Sequence, residues 1–289
     1  MVARSLTVAV RNWLHTKDSL ERRLFALSLS LTVQMIDIHS HILYGLDDGA
    51  KDRETSLAML QLAAETGTTD IVATPHSDSH YEYQPALVDE RITELNSLTG
   101  NKPRIHRGCD FHLSIENVQA CMRNPGVYTI NGAGYLMVEF ADYFVPPSTE
   151  NILKQLMDIG VNPVITHPER NPVLRDSTDR LERWIQSGCL LQVTAQSLTD
   201  RFGREAQTAA WNWLRKGMVH VLASDAHDTV HRPPRLDLAH AMLTDKLGPE
   251  AADMLLISNP GAILRGEPIM TLGEYSSNGG SKKWFQFWR

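Results

Sequence analysis

Imidazole and carboxylate side chains end several short apolar segments of this 289-residue sequence. His39 and His41 are separated by one residue, and Asp225 and His227 have the same spacing. Residues spaced in this way on an extended strand point to the same face. A set of imidazole and carboxylate ligands without thiolate suits zinc, iron or manganese. The pattern therefore predicts a site for divalent metal ions.

Three further candidates, His76, Glu139 and His167, end apolar runs of the same kind. Any single pair of these polar residues is explained equally well as the ordinary end of a strand. Five histidines and two carboxylates at the ends of five strands are different. Burying that much charge without a metal costs too much free energy. The complete set therefore favours a metal cluster.

Apolar strands and amphipathic helices alternate through the middle of the chain. Strands are predicted near residues 35–39, 70–76, 105–111, 135–139, 163–167, 190–194 and 218–225. Asp52 and Ser148 are predicted helix caps, and glycines such as Gly67 and Gly217 are predicted to end helices. This alternation indicates an α/β fold with a parallel sheet, either closed into a barrel or open and doubly wound. In a barrel, the loops after the strands form one rim, where active sites lie.

The composition excludes several classes of protein. Lys and Arg number 28 against 34 Asp and Glu, and the net charge of −6 disfavours a nucleic-acid-binding protein. Three cysteines are too few for a disulfide framework, which favours a reducing cytoplasm. No apolar stretch is long enough to span a bilayer.

The two ends of the chain differ from its middle. Residues 1–34 are predicted to be a basic amphipathic extension, and Met35 is a second candidate start. A signal peptide over residues 24–33 is the alternative, but no convincing small-residue cleavage site follows it. Residues 274–281 predict a flexible linker. The tail over 282–289 has four aromatic residues and three cations, which fits either a disordered terminus or a tag for a membrane or a partner.

Four segments together resemble the polymerase-and-histidinol-phosphatase (PHP) superfamily. IDIHSHILYGLDDG at residues 36–49 is followed in order by ATPH (73–76), VITHPER (164–170) and ASDAH (223–227). Within the superfamily, the sequence is most similar to bacterial tyrosine-protein phosphatases that serve capsule and exopolysaccharide synthesis. The similarity runs from about residue 35 to residue 261, and the ordered set of motifs is highly specific.

The resemblance implies a distorted (β/α)7 TIM-like barrel as a single domain over residues 35–273. It also implies two to three divalent metal ions, with manganese expected first and iron or zinc as alternatives. The implied ligands are His39, His41, Asp48, His76, Asp110, Glu139, His167, Asp225 and His227. Asp110 departs from the family, which usually has Glu there, so the shorter side chain puts metal spacing or occupancy at this corner in question. Asp37 and Asp47 are expected to support the ligands.

Two arginines in predicted rim loops, Arg170 and Arg232, are implied by the resemblance to bind the substrate phosphate and act in catalysis. Guanidinium groups bind phosphate oxygens bidentately. Metal ions lower the pKa of a water molecule, so that hydroxide attacks phosphorus in line. The sequence offers no evident general acid, which favours phosphotyrosine because a phenolate leaves more readily than an alkoxide.

A cysteine-based phosphatase mechanism is excluded. It needs a cysteine followed by Arg six positions later, and Ile115, Val127 and Ala195 stand at that distance here.

The resemblance implies a phosphotyrosine protein as partner, namely a tyrosine autokinase that controls polysaccharide export. The expected location is the cytoplasm, including the inner face of the membrane if the tail binds there. The alternatives are a small-molecule phosphatase such as histidinol-phosphatase and a non-catalytic binding protein that has lost a metal at Asp110. The acidic charge disfavours a nuclease. The oligomeric state stays open.

Two other histidines are candidates for contact with the substrate, and three tyrosines are candidates for shaping the pocket. His80 and His231 lie near the predicted rim, and Tyr44, Tyr81 and Tyr83 lie in segments that could shape the pocket.

Overall fold

A computed structural model describes residues 33–272 and the backbone of residues 285–287. Its strands are β1 (Met35–Ser40), β2 (Thr68–Ala73), β3 (His76–Ser77), β4 (Arg104–Arg107), β5 (Asp110–His112), β6 (Tyr135–Glu139), β7 (Asn162–Thr166), β8 (Leu190–Thr194), β9 (Val221–Ala223), β10 (Met270–Leu272) and β11 (Phe285–Phe287). Most of the predicted N-terminal extension, the whole linker over 274–281 and most of the tail lie outside the described residues.

Ten α-helices accompany these strands in the described residues. They are α1 (Arg53–Glu65), α2 (Pro85–Thr99), α3 (Ile115–Arg123), α4 (Thr149–Asp158), α5 (Pro172–Arg175), α6 (Thr178–Gln186), α7 (Gly203–Arg215), α8 (Asp237–Leu247), α9 (Pro249–Asp253) and α10 (Asn259–Arg265), with a π-helical segment over Met254–Ser258. None of the described helices is long and apolar enough to cross a membrane.

The strands form two parallel sheets, with the orders β1-β2-β4 and β3-β5-β6-β7-β8-β9. This confirms the predicted α/β class with a parallel sheet. A separate antiparallel pair joins β10 to β11 near the end of the chain, with Met270 opposite Phe287. That pair was not predicted from the sequence.

Two of the predicted strands are each interrupted, so β1 to β9 replace the expected seven. The run over 70–76 divides into β2 and β3, because Pro75 has no N–H to contribute to a ladder. The run over 105–111 divides into β4 and β5 at Gly108, where a Cβ atom would lie 2.7 Å from Cγ1 of Val72. Backbone bonds from Gly108 N to Ala73 O and from Asp110 N to Pro75 O bridge the interruption.

The first and last strands of the parallel sheets meet beside their carboxyl ends. Ser40 and Ala226 form an isolated parallel bridge. Asp225 N donates to His39 O at 2.8 Å, and His41 N donates to Ala226 O at 2.8 Å. The two parallel sheets are therefore joined here by one bridge and two backbone hydrogen bonds. These contacts lie beside the candidate ligands His39, His41 and Asp225.

Of the two predicted helix caps, Asp52 is confirmed and Ser148 is not. Asp52 caps α1 by accepting from Thr55 N at 2.8 Å. Ser148 precedes α4 as expected, but its side chain makes no capping bond. Its backbone is already helical, which aims the hydroxyl away from the free N–H groups.

The central strands are buried on both faces. In β6, Met137 belongs to an apolar cluster that contains Ile38, whereas Leu136 and Val138 belong to a different cluster that contains Trp184 of α6. Alternate residues of a strand point to opposite faces. The uninterrupted apolar runs in the sequence are explained by this burial on both sides.

Candidate metal and phosphate site

The carboxyl ends of the parallel strands bring the candidate ligands to one edge of the sheets. His39 lies in β1, Glu139 ends β6, and His167 directly follows β7. His76 and Asp110 begin β3 and β5 beyond the interruptions of their strands. Asp48 is in the loop after β1, and Asp225 and His227 follow β9.

All nine candidate ligands fall into groups whose nitrogen and oxygen atoms lie within 4.8 Å of one another. The four groups are His41, Asp48, His76 and His227; His39, His41 and Asp110; His39, His167 and Asp225; and His76, Asp110 and Glu139. Shared members link each group to another. The arrangement is therefore one continuous cluster with several places for a cation.

Asp225 lies between two of the imidazoles. Its Oδ1 atom is 3.4 Å from His39 Nε2 and 3.3 Å from His41 Nε2, and the two Nε2 atoms are 3.3 Å apart. Burial raises the pKa of Asp225, but Arg170, His39 and Arg232 lower it well below the usual range. Asp225 is therefore an anion in the midst of nitrogen donors.

Unpartnered buried atoms show that the donor set fits a cation. Neither carboxylate oxygen of Asp110 has a hydrogen-bond partner, although the residue is fully buried, and Nδ1 of His76 lacks one as well. Burying an ionised carboxylate without a hydrogen-bond partner costs several kcal/mol of folding free energy, on the order of the cost of burying an unpaired ion. A divalent cation satisfies such atoms, and nitrogen and oxygen donors are the ligands that zinc, iron and manganese accept.

The shorter side chain of Asp110 still reaches the cluster. Its Oδ2 atom is 3.4 Å from both His39 Nε2 and His76 Nδ1. Burial raises the pKa of Asp110, whereas His39, His76 and His167 lower it below its ordinary value. Asp110 thus stands where a ligand is expected, as an ionised group.

Supporting side chains orient His39 of β1 and His41, which directly follows this strand. His41 Nδ1 is 2.7 Å from Asp47 Oδ2; burial lowers the pKa of His41, but Asp47 and Asp225 raise it to about 9. His39 Nδ1 is 3.0 Å from the amide oxygen of Gln192, so it donates there and presents Nε2 to the cluster. Asp47 thus has the expected supporting role, and Gln192 is a supporting residue that the sequence did not reveal.

Asp37 supports the other end of the site. Its Oδ1 atom accepts from Ser224 N at 2.9 Å, directly before Asp225. Burial raises the pKa of Asp37 to about 6, although bonds from Ser224 and His39 oppose this. Asp37 therefore holds the segment that carries Asp225, as predicted.

Close backbone approaches and unusual torsion angles shape the ligand loops. A Cβ atom at Gly49 would lie 2.1 Å from the carbonyl oxygen of His41, so only glycine fits there. His167 and Asp225 have φ angles of 33° and 51°, in the left-handed region that disfavours residues other than glycine. Such strain concentrates at functional sites.

Both predicted phosphate-binding arginines point at the cluster. Arg170 Nη1 and Arg232 Nη2 donate to the same oxygen, Oδ2 of Asp225. The ring of Phe202 lies 4.5 Å from Cζ of Arg170 and 6.0 Å from Cζ of Arg232. A ring at such distances attracts guanidinium groups. Phe202 therefore supports both arginines, a role that the sequence did not indicate.

Glu169 is a further residue that the sequence analysis missed. It is fully buried and accepts from Thr194 N at 2.9 Å and from Ser197 Oγ at 2.7 Å. Its position between His167 and Arg170 could have marked it, because an acidic residue inside a metal-binding motif is a candidate ligand or a candidate structural anchor. The bonds make it an anchor between the loops after β7 and β8.

The other candidates for substrate contact lie outside the donor groups. His80 and His231 have side chains that are 82% and 78% exposed. Tyr81 stacks on His76 with the ring centroids 6.0 Å apart. Tyr44 donates to Glu94 at 2.6 Å and Tyr83 to the carbonyl of Gly108 at 3.0 Å, so both hydroxyls are engaged.

The chain is thus an α/β protein with a candidate metal site at the ends of its parallel strands. Two arginines lie beside that site. The chain belongs to the capsular polysaccharide synthesis CpsB/CapC family, whose model matches residues 35–265.

Named relatives support the resemblance found in the sequence. The tyrosine-protein phosphatase YwqE of Bacillus subtilis is 31% identical, over 81% of this chain and 93% of that protein. The tyrosine-protein phosphatase CpsB of Streptococcus pneumoniae is 28% identical, over 81% of this chain and the full length of that protein. A crystal structure from a study of YwqE and CpsB, described as unique metal-dependent tyrosine phosphatases, superposes with a TM-score of 0.77 at 31% identity, covering 83% of this chain and 98% of that one.

Proposed function

We propose that this chain is a metal-dependent phosphatase that hydrolyses phosphotyrosine in proteins. The observation that carries the proposal is the convergence of Arg170 and Arg232 on Asp225, at the edge of the donor cluster. Two guanidinium groups beside metal ligands are suited to a phosphate monoester. The family and the activity named for its relatives agree with this assignment.

Two to three divalent ions, manganese first among them, would be held by the nine residues of the four donor groups. When bound, such ions supply Lewis acidity and a nucleophilic water at neutral pH. Arg170 and Arg232 bind the phosphate oxygens and offset the negative charge that develops on them. Gln192 and Asp47 hold His39 and His41 in the orientation that the ligand role needs.

Thiol chemistry has no place in this site. Cys109, Cys121 and Cys189 are all buried. Burial raises the pKa of each thiol above its ordinary value, so none is a ready thiolate at neutral pH. The burial of the three thiols agrees with the exclusion of a cysteine-based phosphatase mechanism from the sequence.

The finer architecture belongs to the same proposal. The bridge between Ser40 and Ala226 supports closure of the two ladders into a distorted (β/α)7 barrel over residues 35–273. The substrate would be a tyrosine autokinase of capsule or exopolysaccharide synthesis, and the location would be the cytoplasm. The tail over 282–289 remains a candidate for contact with the membrane face.

Three substrates separate the proposal from its alternatives. The purified protein with manganese is assayed on a phosphotyrosine peptide, on histidinol phosphate and on single-stranded DNA. We expect turnover of the peptide that a chelator abolishes and that R170A reduces strongly. Preferred turnover of histidinol phosphate would favour a small-molecule phosphatase. Absence of turnover on all three substrates at full metal occupancy would favour a binding protein.

A further inference from the structure

A cavity of about 200 Å3 lies beside the loop that carries Arg232. Its walls come from the turn after β8 over residues 195–201, from the loop after β9 and from α8. Arg232 stands between two lining residues, His231 and Pro233, and Phe202 follows the lining residue Arg201. Residues that line the cavity are therefore direct chain neighbours of Arg232 and of Phe202, whose ring lies beside both arginines.

The lining of this cavity is apolar with cations at its edge. Val230, Leu238 and Met242 contribute apolar surface, and Arg201 and Arg235 contribute charge. Val230 is 73% exposed and Leu238 is 57% exposed, although both are large apolar residues. Exposed apolar residues around a concavity mark binding sites. The volume is below the roughly 300–1,000 Å3 of sites that enclose a drug-sized ligand, so it suits one side chain.

The cavity wall and the phosphate-binding arginine share one structural support. Asp228 Oδ1 accepts from Val230 N at 2.6 Å, from His231 N at 2.5 Å and from Arg232 N at 3.3 Å. Arg201 Nε donates to the carbonyl of His231 at 3.0 Å and so ties the loop after β8 to the loop after β9. These hydrogen bonds hold the cavity wall in place relative to the backbone of Arg232.

The charge at the cavity edge is available to a ligand. Arg235 is paired with Asp237, at 2.5 Å. The Arg201 side chain donates to the carbonyl of His231, and among residues 33–272 it forms no ion pair with a carboxylate. A ligand with an apolar side chain next to an acidic group is therefore complementary to this surface.

We propose that the cavity receives an apolar side chain of the substrate protein, from a residue close to the phosphotyrosine in its sequence. The inference rests on the proposed phosphatase function. A phosphotyrosine that reaches Arg232 must lay its own chain across the rim, and an extended chain advances only about 3.3 Å per residue. Neighbouring residues of that chain therefore pass over the cavity, which a free phosphate monoester would leave unused.

The test is a set of phosphotyrosine peptides with Phe at one flanking position at a time, in a background of Ser and Gly. For the manganese-loaded protein, kcat/KM is measured for each peptide and divided by the value for the peptide without Phe. The variant L238E places a charge in the cavity. L98E is the matched control, because Leu98 is also a helical leucine and is 55% exposed. Ratios within one variant cancel any general loss of activity.

We expect Phe at one or two positions to raise kcat/KM of the wild type by about tenfold, through KM, as burial of one apolar side chain predicts. In L238E, the ratio of kcat/KM with Phe to kcat/KM without Phe should fall close to one. In L98E, this ratio should stay at the wild-type value. A wild type that hydrolyses all the peptides equally well overturns the cavity proposal alone. A protein inactive on every peptide overturns the phosphatase function with it. If L238E keeps the preference for Phe but changes the oligomeric state of the protein, this face binds a second copy of the chain. That result would contradict the proposal.

Discussion

Arg170 and Arg232 donate to one and the same atom, Oδ2 of Asp225, from loops that follow different strands. The shared acceptor places both guanidinium groups at a single point on the edge of the donor cluster. Under the proposed function, one phosphate group bound there would contact both arginines at once. The two residues are therefore expected to act on the substrate as a unit.

The first prediction is that the two arginines are energetically coupled. R170A and R232A should each lower kcat/KM for a phosphotyrosine peptide by about 10- to 150-fold, since a hydrogen bond to a charged group contributes roughly 1.5–3 kcal/mol. The double variant should lose less than the product of the two single effects. Steady-state kinetics of the four proteins completes the cycle. R204A, at an exposed arginine of α7, is the control and should stay close to wild type. Strictly multiplicative losses would contradict the shared role.

The second prediction concerns Asp110, whose two oxygens are buried without partners. D110N removes the charge at almost constant volume, so metal content measured by mass spectrometry should fall. The rise in Tm on adding manganese should shrink, because a ligand that binds only the folded state stabilises it less when its affinity is lower. D245N, at an exposed aspartate of α8, is the control. Equal metal content in D110N and the wild type would remove Asp110 from the ligand set.

The third prediction is that Phe202 acts through the arginines. F202A should raise KM by roughly 2- to 30-fold, as expected from about 0.5–2 kcal/mol of cation–π attraction. F202Y should restore it because the ring is kept, and F202L should not, although it preserves apolar bulk. Metal content and Tm should change little in all three. Full rescue by Leu would show that Phe202 acts only by filling space.

The fourth prediction links His220 to stability at acid pH. Burial lowers the pKa of His220 to about 4, and its Nδ1 atom accepts from Leu191 N at 3.0 Å. The unfolded chain binds this proton near pH 6.5, so the stabilisation is complete above that pH and decreases as the pH falls towards 4. The slope is at most about 1.4 kcal/mol per pH unit.

H220N tests this directly, since the amide oxygen of asparagine can accept from Leu191 N but does not titrate. Urea unfolding across this pH range should give a flatter dependence for H220N than for the wild type. H80N, at a histidine whose side chain is 82% exposed, should follow the wild type. Parallel curves for H220N and the wild type would be the contrary result.

The candidate ligands predicted from the sequence lie together in the structure because the signals that mark them are local. A polar residue at the end of a buried apolar run can be recognised without knowing the fold, and parallel strands then bring such ends together. His39, His167 and Asp225 were found in this way, and they lie in one donor group. The interruption at Pro75 was not predicted, because a proline near the end of an apolar run does not show whether the strand stops or resumes.

The residues that were missed depend on distant partners. Gln192 contacts His39 across 153 positions of sequence, and only the assembled sheets bring the two together. Phe202 is indistinguishable in sequence from any partly buried aromatic residue until two arginines are placed beside its ring. Ser148 fails as a cap because its own backbone torsion angles, which a residue type does not determine, are helical.

The left-handed backbone at His167 and Asp225 lowers the stability of the fold at two positions that supply candidate metal ligands. An L-residue in this region costs about 1–2 kcal/mol relative to glycine. Glycine at either position would relax the backbone and delete a donor in one step. The imidazole and the carboxylate at these two positions are therefore present at a cost in folding free energy that glycine would avoid.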